Sequence, residues 1–207
     1  MNVPVLVLAS RSPRRVELLG RLGLRPHVHP ARVDETPRPG EHPALYVERL
    51  ARAKAQWVHT VRDDGVPVLG ADTAVVVDDE ILGKPRDRAA ALAMLGRLSG
   101  REHRVLTGVA LADHEGVHTR VSVSHVHFRP IAPWECEAYW ATGEPRGKAG
   151  AYAIQGLGEV FVKRLDGSHS GVMGLPLFET AELLHGAGIE ILVAPGETPP
   201  HRPDGPF

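Results

Sequence analysis

The stretch Val5-Leu6-Val7-Leu8-Ala9-Ser10-Arg11-Ser12-Pro13-Arg14-Arg15 decides the fold class. With Val3 and Pro4 ahead of it, its first part is an apolar run unbroken by charge, which suits a strand covered on both faces. Ser12 then stands as an N-cap with Pro13 at the first helical position. Val16, Leu18, Leu19 and Leu22 recur on one helical face until Gly23 stops the helix. A buried strand that turns directly into an amphipathic helix predicts an α/β protein. The same run, about seven residues over 3–9, is too short to span a membrane and lacks the basic leader of a signal peptide. The expected location is cytoplasmic.

Further along, residues 44–61 read as a helix with Leu50, Trp57 and Val61 apolar and Arg49, Arg52 and Lys54 charged. Val66 to Ala71 is a second buried run; it continues through Asp72-Thr73 and Ala74 to Val77 into an Asp78-Asp79 turn. Asp87 caps a helix carrying Ala91, Met94, Leu95 and Leu98, which Gly100 ends. Strands are expected over 103–111 and 120–128. In the second, the apolar phase moves from Val121 and Val123 to Val126 and Phe128, which predicts a bulge near Ser124 or His125. A helix over 133–141, short strands over 151–155 and 160–163, a helix over 177–185 and a last strand over 189–193 complete the pattern. There is no repeat and no Pro- or Gly-rich linker, so 1–195 reads as one domain, and the proline-rich residues 196–207 read as a disordered tail.

Composition narrows the function classes. Of 207 residues, 43% are hydrophobic and only 5% aromatic, so the core is aliphatic. With 24 basic and 25 acidic residues, no overall field draws the chain to nucleic acid or an anionic membrane, and any polyanion must be held by a local cluster. The single cysteine, Cys136, excludes an intramolecular disulfide and reads as a buried thiol.

Arg14 and Arg15 fall in the first turn of the first helix, behind Ser10 and Ser12. Cations are disfavoured at that end of a helix, so two of them there point to a compensating anion such as phosphate, although solvated surface arginines are an equal reading. Asp72 ends an apolar run; a buried carboxylate needs a cation, a metal or water, whereas an ordinary strand-end turn would need nothing. Asp34-Glu35 offers hard oxygen ligands for Mg²⁺ or Mn²⁺. Lys84 is presented rigidly between Gly83 and Pro85, and Lys54 projects from the second helix; either could be a solvated lysine. Gly143 to Lys148 lacks the spacing and the Ser or Thr of a Walker motif. Most of the twelve histidines read as surface residues.

Together these segments resemble the Maf family of nucleoside triphosphate pyrophosphatases. The resemblance rests on Leu8 to Arg15 with Glu17-Leu18-Leu19, Ala51-Arg52-Ala53-Lys54-Ala55, Gly70-Ala71-Asp72-Thr73, Leu82-Gly83-Lys84-Pro85, Leu98-Ser99-Gly100, His103 with Thr107-Gly108, Gly143-Glu144-Pro145, Lys148 to Gly156, and Gly174-Leu175-Pro176-Leu177. It implies a mixed α/β fold similar to the inosine triphosphate pyrophosphatases: an elongated central sheet flanked by helices, with two lobes around a nucleotide cleft. It implies hydrolysis of dTTP and UTP to the monophosphate and pyrophosphate, a nucleotide-pool house-cleaning role. Arg14, Thr73 and Gln155 match the family's specificity positions, all of the pyrimidine type.

Under the resemblance Asp72 is the proton acceptor and touches a divalent metal, Mg²⁺ or Mn²⁺, with Glu35 as the second metal-side carboxylate. Arg14, Arg15, Lys54 and Lys84 hold phosphates and Ser10 adds a polar contact. Gln155 pairs with the O4/N3–H edge shared by uracil and thymine. A homodimer is compatible with the resemblance. Two positions depart from the pattern, Gly147 where an aspartate is usual and Gly171 where an asparagine is usual. The alternatives are a 7-methyl-GTP pyrophosphatase of the same fold and a nucleotide-binding regulator of septum formation with little turnover.

Overall fold

A computed structural model describes residues 5–191. In chain order the elements are β1 (Val7–Leu8), α1 (Pro13–Arg21), β2 (His27–Val28), α2 (Pro43–Arg62), β3 (Val68–Val77), β4 (Glu80–Leu82), α3 (Arg88–Leu98), β5 (Glu102–Asp113), β6 (Gly116–Phe128), α4 (Pro133–Ala141), β7 (Val162–Asp166), α5 (His169–Met173) and α6 (Leu177–Gly186). The seven strands form one mixed sheet in the order β2-β1-β3-β5-β6-β7, with β4 beside β3. β1 runs parallel to both β2 and β3, and the remaining pairings are antiparallel.

Alternation along β3 feeds two cores. Leu69, Ala71, Val75 and Val77 join Leu18 and Leu19 of α1, Leu95 and Leu98 of α3 and Leu183 and Leu184 of α6 on one side of the sheet. Ala74 and Val76 pack with Val47 on the other, where Ala51 and Ala55 of α2 meet Ala110 and Ala112 of β5. Two glycines let α2 lie directly on the sheet. A Cβ on Gly70 would stand 2.7 Å from the Ala55 nitrogen, and one on Gly108 would stand 2.6 Å from the Val47 carbonyl carbon.

One edge of β3 is interrupted. Along its β5 side pairing is continuous from Val68 to Val76. On the other side β1 takes only Val68 and Leu69, and β4 takes only Val75, Val76 and Val77. Among the described residues, 70–74 therefore have no strand neighbour on that edge, and this gap is where the cleft opens.

Helix starts follow the sequence closely. Ser12 and Asp87 are N-caps as expected; the Asp87 carboxylate accepts from the Ala90 nitrogen, whereas the Ser12 hydroxyl makes no cap bond and its own N–H donates to Ser10 Oγ. Five strand expectations need correction. The first strand pairs over Val7–Leu8 alone, although Leu6 and Ala9 remain buried. The bulge near Ser124 or His125 is absent from the β5–β6 ladder, whose register is unbroken, and the irregularity lies at His127/Phe128 against β7. The apolar phase changes because α2 covers one face of β6 near Val117 and Val121, while Ser122, Ser124, Val126 and Phe128 are buried on the other. Residues 151–155 are not a strand: a 3₁₀ turn spans Ala149–Ala151, and the Ala153 N–H donates to Tyr139 Oη instead of to a ladder. The other short strand starts only at Val162, after a 3₁₀ turn over Leu157–Phe161. Of the expected last strand, residues 189–191 are irregular and the rest lies outside the described residues, as does the expected tail.

Candidate active site

A cleft of about 620 Å³ opens at the gap beside β3. Its floor is Asp72 and Thr73, which point to opposite sides of the sheet because they are strand neighbours. Towards α2, Lys54 Nζ donates to Asp72 Oδ1 at 2.7 Å and lies 2.7 Å from Glu35 Oε1. Glu35 comes from the irregular stretch between β2 and α2, steadied where Tyr46 Oη donates to the Glu35 carbonyl at 3.0 Å. Burial pushes the Glu35 carboxyl up, but its Lys54 partner, with the charges of Lys84 and Arg15, outweighs that and holds it below the usual range. The nearby carboxylates and burial together raise Tyr46 to about 12, burial being the larger cause.

On the other side of β3 stands the first turn of α1. Arg15 donates through Nε to the Gly174 carbonyl at 2.8 Å, through Nη1 to Ser10 Oγ at 3.0 Å and through Nη2 to Thr73 Oγ1 at 3.4 Å. Arg14 commits Nε to the Met173 carbonyl at 3.2 Å. Burial lowers the pKa of both guanidiniums, and for Arg15 the neighbouring Asp72 works against that fall. The facing wall is residues 147–155, which carry Lys148, Tyr152 and Gln155. That wall is tied to the Lys84 loop by the Gly150 N–H, which donates to the Gly83 carbonyl at 3.1 Å.

All nine residues singled out from the sequence, Ser10, Arg14, Arg15, Glu35, Lys54, Asp72, Thr73, Lys84 and Gln155, line this one cleft. Sequence reading missed Arg32 and Lys148. Lys148, which the sequence offers in a failed Walker motif and in the stretch Lys148 to Gly156 but without a role, faces the cleft, and burial followed by the Arg14 charge lowers its pKa. Thr107 and Glu144 are not lining residues: Thr107 meets Thr73 and Gly171, 34 and 64 positions away, whereas Glu144 meets Tyr139, Leu157 and Gly158.

The residues fit a divalent cation in one respect. Glu35 and Asp72 converge on a common point, now shared through Lys54, and Mg²⁺ is typically held by one or two carboxylates together with substrate phosphate oxygens. Among the described residues no group of three or more His, Cys, Asp or Glu side chains could hold a metal by itself.

The family described as Maf-like protein matches residues 5–187. The chain belongs to the Maf family. A Maf relative named dTTP/UTP pyrophosphatase from Alkalilimnicola ehrlichii is 54% identical over 87% of this chain and 92% of its own. Proteins of the same name from Bordetella avium (50% identical, over 92% of this chain and 98% of theirs) and Methylococcus capsulatus (53%, over 89% and 91%) are similar to it as well. A solved dITP/XTP pyrophosphatase from Mycobacterium abscessus aligns at 21% identity over 59% of this chain and 72% of its own with a TM-score of 0.39, a likeness that carries no argument.

The two positions expected to depart from the Maf pattern have different settings. Gly147 lines the cleft at φ +69 with open space around a would-be Cβ, so a side chain there would have to accept a left-handed backbone. Gly171 is enclosed: a Cβ would stand 3.1 Å from Ser168 Cβ, and its N–H already donates to Ser168 Oγ. Among the described residues no helix is long and apolar enough to cross a membrane.

Proposed function

We propose that this chain hydrolyses dTTP and UTP between the α and β phosphates, releasing the monophosphate and pyrophosphate. The observation that carries the reading is the Asp72 carboxylate on the open edge of β3, oriented by Lys54 and faced across the cleft by Arg14, Arg15, Lys84 and Lys148. The names of the Maf relatives supply the substrate class.

A triphosphate brings close to four negative charges, and cations fixed around the cleft stabilise the charge that develops on it. Arg14 keeps its two terminal nitrogens for phosphate oxygens, having committed only Nε. Arg15 braces three walls at once, and Ser10 Oγ, which accepts from Arg15 and from the Ser12 N–H, retains its own proton to donate. Lys54 occupies Asp72 Oδ1, which leaves Oδ2 to orient a water and accept its proton as that water attacks the α-phosphorus. Glu35 and Asp72 would hold a divalent cation, Mg²⁺ or Mn²⁺, which when bound neutralises phosphate charge and acidifies water. Gln155 and Thr73 read the base, Gln155 with an amide that offers both a donor and an acceptor.

The test is pyrophosphate release from dTTP, UTP, CTP, GTP and 7-methyl-GTP with Mg²⁺ or Mn²⁺, run beside Asp72→Asn. The amide is nearly isosteric but cannot take the proton, so turnover on dTTP and UTP should fall by about 10²- to 10⁴-fold with little change in KM. Release from 7-methyl-GTP alone, or wild-type turnover in Asp72→Asn, would overturn the substrate or the role.

A further inference from the structure

Behind Thr73 lies a chain of hydroxyls whose direction is fixed by its buried end. Thr107 Oγ1, on β5 opposite Thr73, is 2.8 Å from the Gly171 carbonyl oxygen and 2.9 Å from Thr73 Oγ1, and Thr107 is 1% exposed. A carbonyl only accepts, and two oxygens 2.8 Å apart without a hydrogen between them repel, so the single Thr107 proton goes to Gly171. Thr107 must then accept from Thr73, which places the Thr73 proton on Thr107. One Thr73 lone pair is taken by Arg15 Nη2 at 3.4 Å, and the other remains. The cleft therefore meets Thr73 as an acceptor and never as a donor.

Thr73 faces the wall that bears Gln155. Val75, two residues along on the same side of β3, meets that wall at Gly150, and a Cβ on Gly174 would stand 3.5 Å from Thr73 Oγ1. Uracil and thymine carry a donor at N3, whereas cytosine carries an acceptor there. We infer that Thr107 is a positioning residue which holds the Thr73 hydroxyl in its accepting orientation, so that Thr73 takes the N3–H of uracil or thymine, leaving O4 to the Gln155 amide N–H, and rejects cytosine. This rests on the pyrimidine triphosphatase reading above and deepens it.

Thr107→Val keeps the shape but neither accepts nor donates, which frees the Thr73 proton to turn into the cleft; Gly171 O keeps the Gly174 N–H as a donor. The kcat/KM ratio of UTP over CTP should fall by about tenfold, the scale of one hydrogen bond, mainly through KM. Turnover at saturating UTP should stay within about threefold of wild type, and Thr107→Ser should restore the ratio, which a loss of packing would not allow. Independently of any variant, the wild type should use N3-methyl-UTP at least about tenfold less well than UTP. An unchanged UTP-to-CTP ratio in Thr107→Val, equal losses on both nucleotides, or N3-methyl-UTP used as well as UTP would each overturn the inference. A wild type that releases no pyrophosphate from UTP would overturn the parent reading itself.

Discussion

Arg15 shows what a single side chain is asked to do in this cleft. Its three guanidinium nitrogens reach a carbonyl at 174, a hydroxyl at 10 and a hydroxyl at 73, so one residue of α1 ties β3 to the chain after α5. Lysine keeps the charge but has no planar fork, and cannot meet three acceptors in those directions. Arg15→Lys should therefore raise KM for dTTP by about tenfold or more and lower the thermal midpoint, with acceptors left unpaired. Initial-rate kinetics together with a melting curve check this; a change in neither would mean that the three bonds are incidental. Lys54 occupies the same position among carboxylates, and its reach to both Glu35 and Asp72 explains why a buried aspartate is tolerated on the strand.

Among the elements, the wall over 147–155 and the turn that follows it depend on a carboxylate hydrogen-bonded to Tyr139, Leu157 and Gly158, none of which lines the cleft. Glu144 Oε1 accepts from Tyr139 Oη at 2.6 Å and from the Gly158 N–H at 3.0 Å, and Oε2 accepts from the Leu157 N–H at 3.0 Å. Tyr139 Oη in turn accepts from the Ala153 N–H at 3.1 Å, so the two side chains pin the segment on both sides of Gln155. Gly156 is needed there, since a Cβ would stand 2.7 Å from Glu144 Oε1. Glu144→Ala removes the acceptor of the Gly158 N–H, of the more exposed Leu157 N–H and of the buried Tyr139 hydroxyl. The expected cost is about 2–4 kcal/mol in chemical denaturation, with poorer discrimination among bases. A loss below about 0.5 kcal/mol, the range of ordinary surface substitutions, would refute the pin. The same segment explains why 151–155 was expected as a strand: its apolar run is buried as a strand's would be, but by α4 and the core, and apolar composition does not distinguish those partners.

At the scale of the whole molecule, stability should depend on pH through His103. This imidazole is 2% exposed, packs edge-on against Phe128 and Tyr152, and has Nε2 2.9 Å from Tyr152 Oη. Burial first, then the His127 charge, pulls it down to about 4 from 6.5, with Glu102 opposing. Between those values the unfolded chain binds a proton that the folded one refuses, so this contribution is complete above pH 6.5 and is lost as pH falls towards 4. The loss should be on the order of 3 kcal/mol. Urea unfolding from pH 7 to 4 should show a shallower decline in His103→Gln than in the wild type; parallel declines would assign the effect to other groups.

Local chemistry in the sequence determined the helices and the sheet-forming runs, because caps, prolines and apolar periodicity act over a few residues: Ser12-Pro13, Asp87 and Pro133 all stand where their helices begin. The ordered motifs likewise determined the family and the nine residues around the cleft. Only the tertiary structure decided what those residues do to one another. The bare edge of β3 between β1 and β4, the Lys54 bridge that Gly70 and Gly108 permit by letting α2 settle on the sheet, and the Thr73–Thr107–Gly171 relay join segments as much as 98 residues apart. The direction of a hydrogen bond depends on which partner lacks a proton, and that partner is brought into reach only when the chain has folded.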